Sequence, residues 1–559
     1  MENSEHSFNL IYYMKKLFLF YLSCSWCVGL MAQSELPQVS DTYAITNAFI
    51  TPSAGTTSYY GTIVMTDGII TSVGPSVNIP FSAQVIDVDS AHVYPAFIAT
   101  LSHAGIRNTD DDERVDVDRP GYPPNDVAGI TPEKSMSSEF SPSDNSVKGL
   151  REAGFAIAHS VPKKGMLPGM GSVISLSGND FDQSVLVEDM SVYAKFEGAS
   201  RVFPATTIGV MAKFRELYKN AEIGAKYQKS YAQNPLNKKR GGQDAATKAL
   251  YGTTDGSMSI YFQTESTLYV SRALTLQKEL GFNICLSEVK SAPQVQSILK
   301  TNPQPVLFSL DLPDEDDSED EEMTDEQKAL LNKKKESIKA ACSQAAQFAE
   351  SNQPFAFSYV DVKTKDIHSQ VKRLIDHGLS FDDALSALTI DAARALNIDK
   401  IAGTITNGKA ANLIVTTDTL FKEKTQISKV FIDGELFEQK VKEKKKSANS
   451  GEEVDFSGSY SYSIDIPGMS PEGKMTFVKS GDTYEVSITS NQAPGESFEA
   501  SDVEVDGNNV TFDFTIDNGG FTIAVSNDIT LEDDSLEGTV SIPDFGSFEL
   551  TGEKLDSPE

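Results

Sequence analysis

Alternating apolar and polar positions over residues 42–74, broken at Asp67-Gly68, predict a hairpin of half-buried strands. The pattern then changes. Val93 to Leu101 is a continuous apolar run, which predicts a fully buried strand. A short helix over 146–153 leads into Gly154-Phe-Ala-Ile-Ala-His159-Ser160 as a second buried strand. Further strands are expected at 258–263, 283–287, 305–310 and 354–361, with helices over 268–280 and 292–300 between them. This βαβα rhythm predicts a parallel sheet of a length that closes into a (β/α)8 TIM-like barrel, with chemistry at the carboxyl ends of its strands.

Intervening stretches are read from the same pattern. Pro204 to Leu217 has helical spacing with its proline at the first turn, and 219–250 is a polar, partly basic helical stretch. Gly165-Met-Leu-Pro-Gly-Met-Gly171 is rich enough in glycine to suggest a phosphate loop, but neither a helix start nor Lys-Ser/Thr follows it. A tight turn between strands is expected there. Residues 311–326 form an acidic insertion that cannot bury itself. Asp110 to Glu113 with Asp116 and Asp118 reads as a solvated acidic loop. After a charged linker, 439–453, residues 454–559 show short alternating strands and predict an independent antiparallel all-β barrel or sandwich of about eight strands.

Composition narrows the partners. The chain of 559 residues calls for two or three domains, and its formal charge of −32 excludes nucleic acid and anionic membrane surfaces as natural partners. Met14-Lys15-Lys16 and the short apolar segment ending at Ala32 have the form of a signal peptide over residues 1–32, with Met14 as the start. A periplasmic or secreted protein follows, with no transmembrane segment after cleavage. Only Cys285 and Cys342 then remain, and two buried thiols are expected rather than a disulfide framework.

The run Pro95-Ala96-Phe97-Ile98-Ala99-Thr100-Leu101-Ser102-His103 resembles the first barrel strand of the amidohydrolase superfamily, in its imidazolonepropionase-like and dihydroorotase-like branch. Residues 378–397, 401–415 and 430–434 resemble the carboxyl-terminal signature of the same family of metal-dependent hydrolases. The resemblance implies a composite β-sandwich from residues 42–91 and 401–438 flanking a barrel over 92–400. It also implies a divalent metal held by His-x-His on the first strand, a lysine or glutamate in mid-barrel, a histidine from each of strands five and six, and an aspartate from strand eight.

Here that ligand set is depleted. The strand-one Asp and first His are Ala99 and Leu101, leaving His103. The strand-five histidine is replaced at Tyr261 or Phe262, Glu288 is the nearest ligand type on strand six, and Asp361 stands at or beside the final Asp. Lys195 is the candidate for the mid-barrel lysine, and His159 is expected as a hydrogen-bonded core residue. His103, Glu288 and Asp361 thus form a remnant site with one imidazole, closer to a calcium or magnesium site than to a zinc one.

Three functions are compatible with this. The first is a pseudoenzyme that acts as a binding or scaffolding subunit and needs no cofactor, with a small molecule, a peptide, a second copy or an active paralogue as partner. The second is an active hydrolase of carbon–nitrogen bonds, in cyclic amides or dipeptides, with Asp361 as catalytic base and Zn, Mg or Ca as cofactor. The third is a surface- or glycan-binding protein working through its carboxyl-terminal β domain.

Overall fold

A computed structural model describes residues 42–107, 117–242, 244–290, 295–314, 324–351, 353–422, 425–439, 441, 455–466, 470–480, 483–492, 497–506, 508–517, 522–532, 535–542 and 546–555. The expected signal segment, Asp110 to Glu113 with Asp116, and most of the acidic insertion and of the 439–453 linker lie outside those residues. Two units are distinguished, Met1–Val441 and Lys442–Glu559.

The first unit begins with β1 (Thr42–Ile50), β2 (Tyr59–Thr66), β3 (Ile69–Gly74), β4 (Gln84–Asp87) and β5 (His92–Pro95). Asp67 and Gly68 between β2 and β3 have φ of 50° and 76°, the pair of left-handed residues that a two-residue hairpin turn requires. The barrel follows as β6 (Phe97–Ser102), β7 (Phe155–Ser160), β8 (Gly169–Ser175), β9 (Val185–Ala194), β10 (Ser259–Gln263), β11 (Ile284–Val289), β12 (Val306–Ser309) and β13 (Phe355–Ser358). The chain then returns to the first sheet through β14 (Leu413–Thr416), β15 (Ile427–Ile432) and β16 (Glu435–Glu438). That sheet has the order β16-β15-β14-β5-β1-β2-β3, with β4 beside β1.

In the barrel, β6 to β13 pair in sequence order, and the amide of Tyr359 donates to the carbonyl of Leu101 at 2.8 Å to bring the last strand against the first. Two features depart from the expected pattern. The apolar run 93–101 is two strands, because the amide of Ala96 donates to Asn412 in the flanking sheet (3.0 Å) while that of Phe97 donates to Gly154 in the barrel (2.9 Å). Pro95 lacks an amide proton, which lets the ladder change partner at that point. Second, β8 runs antiparallel to both β7 and β9, whereas the other neighbouring pairs are parallel. Only residues 161–168 join β7 to β8, too few for a parallel crossover, which takes about a dozen. The barrel is therefore eight-stranded, but one βα unit is replaced by a strand pair.

Helices cover the barrel's outer face. The longest, Thr207–Gln233, starts at a Thr206 cap that accepts the Gly209 amide at 3.3 Å, so Pro204 lies before the helix and not in its first turn. Another, Phe381–Leu388, begins with Ser380, whose hydroxyl accepts the Asp383 amide at 3.0 Å. Phe262 points out of the barrel against Phe196 and Phe214, with ring centroids 4.5 and 5.7 Å away. Cys285 and Cys342 are both buried free thiols.

The second unit contains β17 (Gly458–Asp465), β18 (Glu472–Ser480), β19 (Thr483–Ser490), β20 (Ser497–Glu499), β21 (Ser501–Asp506), β22 (Asn509–Asp517), β23 (Thr522–Glu532), β24 (Ser535–Ile542) and β25 (Gly546–Glu553). All pairs are antiparallel, in the order β20-β19-β18-β17-β25-β24-β23-β22-β21. The first strand pairs with the last. Because β20 and β21 are successive pieces broken at Ala500, the two edges meet and the sheet is barrel-like rather than a sandwich. Phe456, Tyr460, Phe477, Phe512, Ile529 and Leu550 belong to its core.

The glycine-rich stretch before β8 is explained by packing. Gly165 has φ of 101°, and a Cβ there would lie 2.5 Å from the Cα of Gly129. Backbone meets backbone. Gly165→Ala is therefore expected to lower barrel stability by about 2 kcal/mol or more, while Gly121→Ala, with nothing within 4 Å, should stay within about 0.5 kcal/mol. Urea unfolding of both variants measures the difference.

Candidate functional site

The carboxyl ends of the barrel strands surround a cavity of about 420 Å³ whose lining includes Ser102, His103, Lys163, Lys195, Gln263 and Asp361. Its walls mix acceptors with ammonium groups, in a chain whose overall charge is strongly negative.

His103 follows β6 directly. Its Nδ1 lies 2.7 Å from the carbonyl of Val161, so in the neutral ring Nδ1–H donates there and Nε2 is left as an acceptor. Burial above all, then the ammonium groups of Lys163 and Lys195, depress its pKa to about 4, against the opposing pull of the Val161 carbonyl and Asp361. The ring also meets Tyr193 edge-on at 6.1 Å. Tyr193 donates its hydroxyl to Gln263 Oε1 at 3.2 Å, and Gln263 donates in turn to Glu265 at 2.7 Å. Lys195, one residue past β9, donates to the carbonyl of Lys163 at 2.6 Å and pairs with Glu197.

Asp361 lies beyond β13 on the same cavity, with φ of 61°. Glu288 near the end of β11 is also left-handed, at φ 55°, inside a register shift between β11 and β12. Both are non-glycine residues in left-handed backbone where a barrel strand ends. Glu288 is fully buried. Burial raises its pKa to about 7, although the hydroxyls of Ser358 and Ser309 and the charge of Lys290 favour the ionised form.

The structure thus brings His103, Lys195 and Asp361 to one cavity and sets Glu288 beside them, within electrostatic reach of Asp361 and Tyr193. The strand-five position differs from expectation. Tyr261 and Phe262 do not reach the cavity; Tyr261 is buried against the His159 ring at 4.7 Å, and the polar residue of β10 on the cavity is Gln263. Period-two alternation from Tyr261 was the signal for it. Lys163 and Tyr193 had no such signal, because their place depends on the β7–β8 loop and on the strand β8 that runs backwards. His159 sits in the core, with Nδ1 2.9 Å from the Thr100 carbonyl and Nε2 2.8 Å from Ser191 Oγ. His368 packs outside the barrel, with Nε2 2.9 Å from the Ala153 carbonyl.

A hydrolytic divalent centre requires three or more ligands and a bound water. Leu101, where the first histidine would stand, is fully buried in the apolar core, as is Ala99. Among the described residues no three His, Cys, Asp or Glu side chains form a group that could hold a metal ion. The donor set present does not fit such a centre.

Opposed pH dependences follow from these burials. Folding raises the proton affinity of Glu288, so its contribution is present at low pH and is lost as pH rises from 4.5 through about 7. His103 and His159 behave in the opposite sense: the unfolded chain takes up protons below 6.5 that the folded chain refuses until about 4, so their contribution is lost on acidification. In buffer free of sodium and potassium, Glu288→Gln is expected to be more stable than the parent at pH 8, by on the order of 1–3 kcal/mol, and to converge with it near pH 4.5. Urea midpoints across that range check this.

Comparison with known proteins gives a consistent picture. Residues 328–437 match the model of the amidohydrolase family. Among solved structures, an amidohydrolase from Thermotoga maritima MSB8 superposes with a TM-score of 0.59 at 18% identity, over 71% of this chain and 100% of that one. A putative prolidase from Bifidobacterium longum (16% identity, 71% and 94% covered, TM-score 0.41) and phenylurea hydrolase B (13%, 71% and 97%, 0.40) are more distant in shape. No curated protein matches the chain. The last helices and returning strands, residues 328–437, thus match the amidohydrolase family, and the barrel that carries them shares the fold of the Thermotoga maritima amidohydrolase.

Proposed function

We propose that this chain is an exported amidohydrolase-fold protein that has lost its divalent metal centre and uses the barrel mouth to bind a small molecule or peptide without hydrolysing it. The observation that carries this reading is the chemistry of the donor set. One imidazole lines the cavity, an apolar side chain stands where its partner would be, and the strand-six position is a carboxyl that burial biases toward the neutral form. With imidazole donors so few, a site holds zinc too loosely to acidify water at neutral pH.

What remains suits recognition. His103 Nε2 accepts a hydrogen bond, Asp361 offers a carboxylate, and Lys163 and Lys195 place positive charge on the same cavity. Export rests on the signal-like residues 14–32; no helix among the described residues is long and apolar enough to cross a membrane.

One observation favours a second reading, an active hydrolase of carbon–nitrogen bonds with a remodelled site: His103 and Asp361 share a cavity. Elemental analysis and turnover of cyclic-amide and dipeptide substrates separate the two. The binding reading predicts substoichiometric zinc and manganese, and a hydrolysis rate in added metal that His103→Ala and Asp361→Asn leave unchanged. A stoichiometric metal with turnover that falls about 100-fold or more in either variant would reject it.

A further inference from the structure

Glu288 poses a charge problem that the cavity does not solve. Its side chain is fully buried, yet among the described residues no hydrogen bond of ordinary geometry reaches either carboxylate oxygen, although the hydroxyls of Ser309 and Ser358 stand near enough to favour its ionised form. Among the described residues no lysine or arginine forms an ion pair with it, and Lys290, the nearby cation, binds Asp311 at 2.6 Å. An uncompensated buried carboxylate is strongly unfavourable. The backbone holds this residue in a left-handed conformation within a strand irregularity, at a position where its side chain is buried.

The groups around it are neutral oxygens. Ser309 and Ser358 face each other in register across β12 and β13, and both hydroxyls lie beside the Glu288 carboxylate. Ser358 Oγ is itself buried without a partner, and so is the hydroxyl of Ser287, the preceding residue. The remaining charged or titratable neighbours are Asp361, which is exposed on the cavity, and Tyr193.

We propose that the barrel wall at β11–β13 binds a monovalent metal cation, with Glu288 as its charge partner and the oxygens of Ser309 and Ser358 as neutral ligands. A proton would neutralise the carboxyl but bring no partner to the Ser358 oxygen, whereas a cation engages carboxylate and hydroxyl oxygens together. A divalent ion takes more negative charge than one carboxylate supplies, and no further acid joins Glu288 in a ligand group among the described residues. Hard oxygen donors with a single charge suit sodium or potassium. This site is separate from the question of turnover at the mouth and stands whether or not the protein hydrolyses anything.

Thermal unfolding of the full chain at pH 8 tests the assignment, in sodium, potassium or tetramethylammonium chloride at equal ionic strength. Tetramethylammonium is too large for a dry wall site. The midpoint is expected to rise saturably, by ~2–5 °C, with sodium or potassium over tetramethylammonium. The rise should vanish in Glu288→Gln and shrink in Ser358→Ala. Equal midpoints in all three salts, or a cation-specific rise that survives Glu288→Gln, would overturn the proposal. Where the variant does not fold, the comparison of salts on the unaltered chain decides alone.

Discussion

The hydrogen bond from the Tyr359 amide to the Leu101 carbonyl, at 2.8 Å, joins the last strand of the barrel to the first. The geometry of the mouth depends on that closure. His103 lies two residues beyond Leu101 and Asp361 two residues beyond Tyr359, so the bond sets the imidazole and the carboxylate on one cavity although more than half the barrel's sequence separates them. The same bond makes the first strand interior on both edges. Leu101 is consequently a core residue, and its side chain adds nothing to any ligand set.

Burial then decides the charge state at each position. His103 and His159 are held neutral, and Glu288 is pushed toward its acid form, each by loss of water before any neighbour acts. A neutral imidazole whose Nδ1–H is committed to Val161 can only accept at Nε2. The mouth therefore offers an acceptor at His103 Nε2 and the Asp361 carboxyl on one side and the ammonium groups of Lys163 and Lys195 on the other. Lys195 and Lys163 matter more here than in a neutral protein, because they bring positive charge to a concave surface of an acidic chain.

Much of this was legible from residue order. Alternation marked β2 and β3 and Asp67-Gly68 marked their turn; buried runs marked most barrel strands; Ser380 marked a helix start; and the replacements at Ala99 and Leu101 were evident in the motif itself. What escaped is set by partners distant in sequence. The break at Ala96 exists because Asn412 and Gly154 accept from adjacent amides, and the short 161–168 loop that reverses β8 packs against Gly129. Neither leaves a local pattern. The left-handed turn at Glu288 is of the same kind, since a strand irregularity is defined only against the neighbouring strand. The second unit was read as a barrel or sandwich, and the choice between them rests on the pairing of β17 with β25, residues at opposite ends of that unit.

The central claim is that this mouth lacks the donors for a transition-metal hydrolase. An anomalous-difference map at the zinc absorption edge, from crystals of the full chain equilibrated with zinc, tests it most directly. The account predicts no peak within coordination distance of both His103 Nε2 and the Asp361 carboxylate. A strong peak bridging those two groups would contradict it.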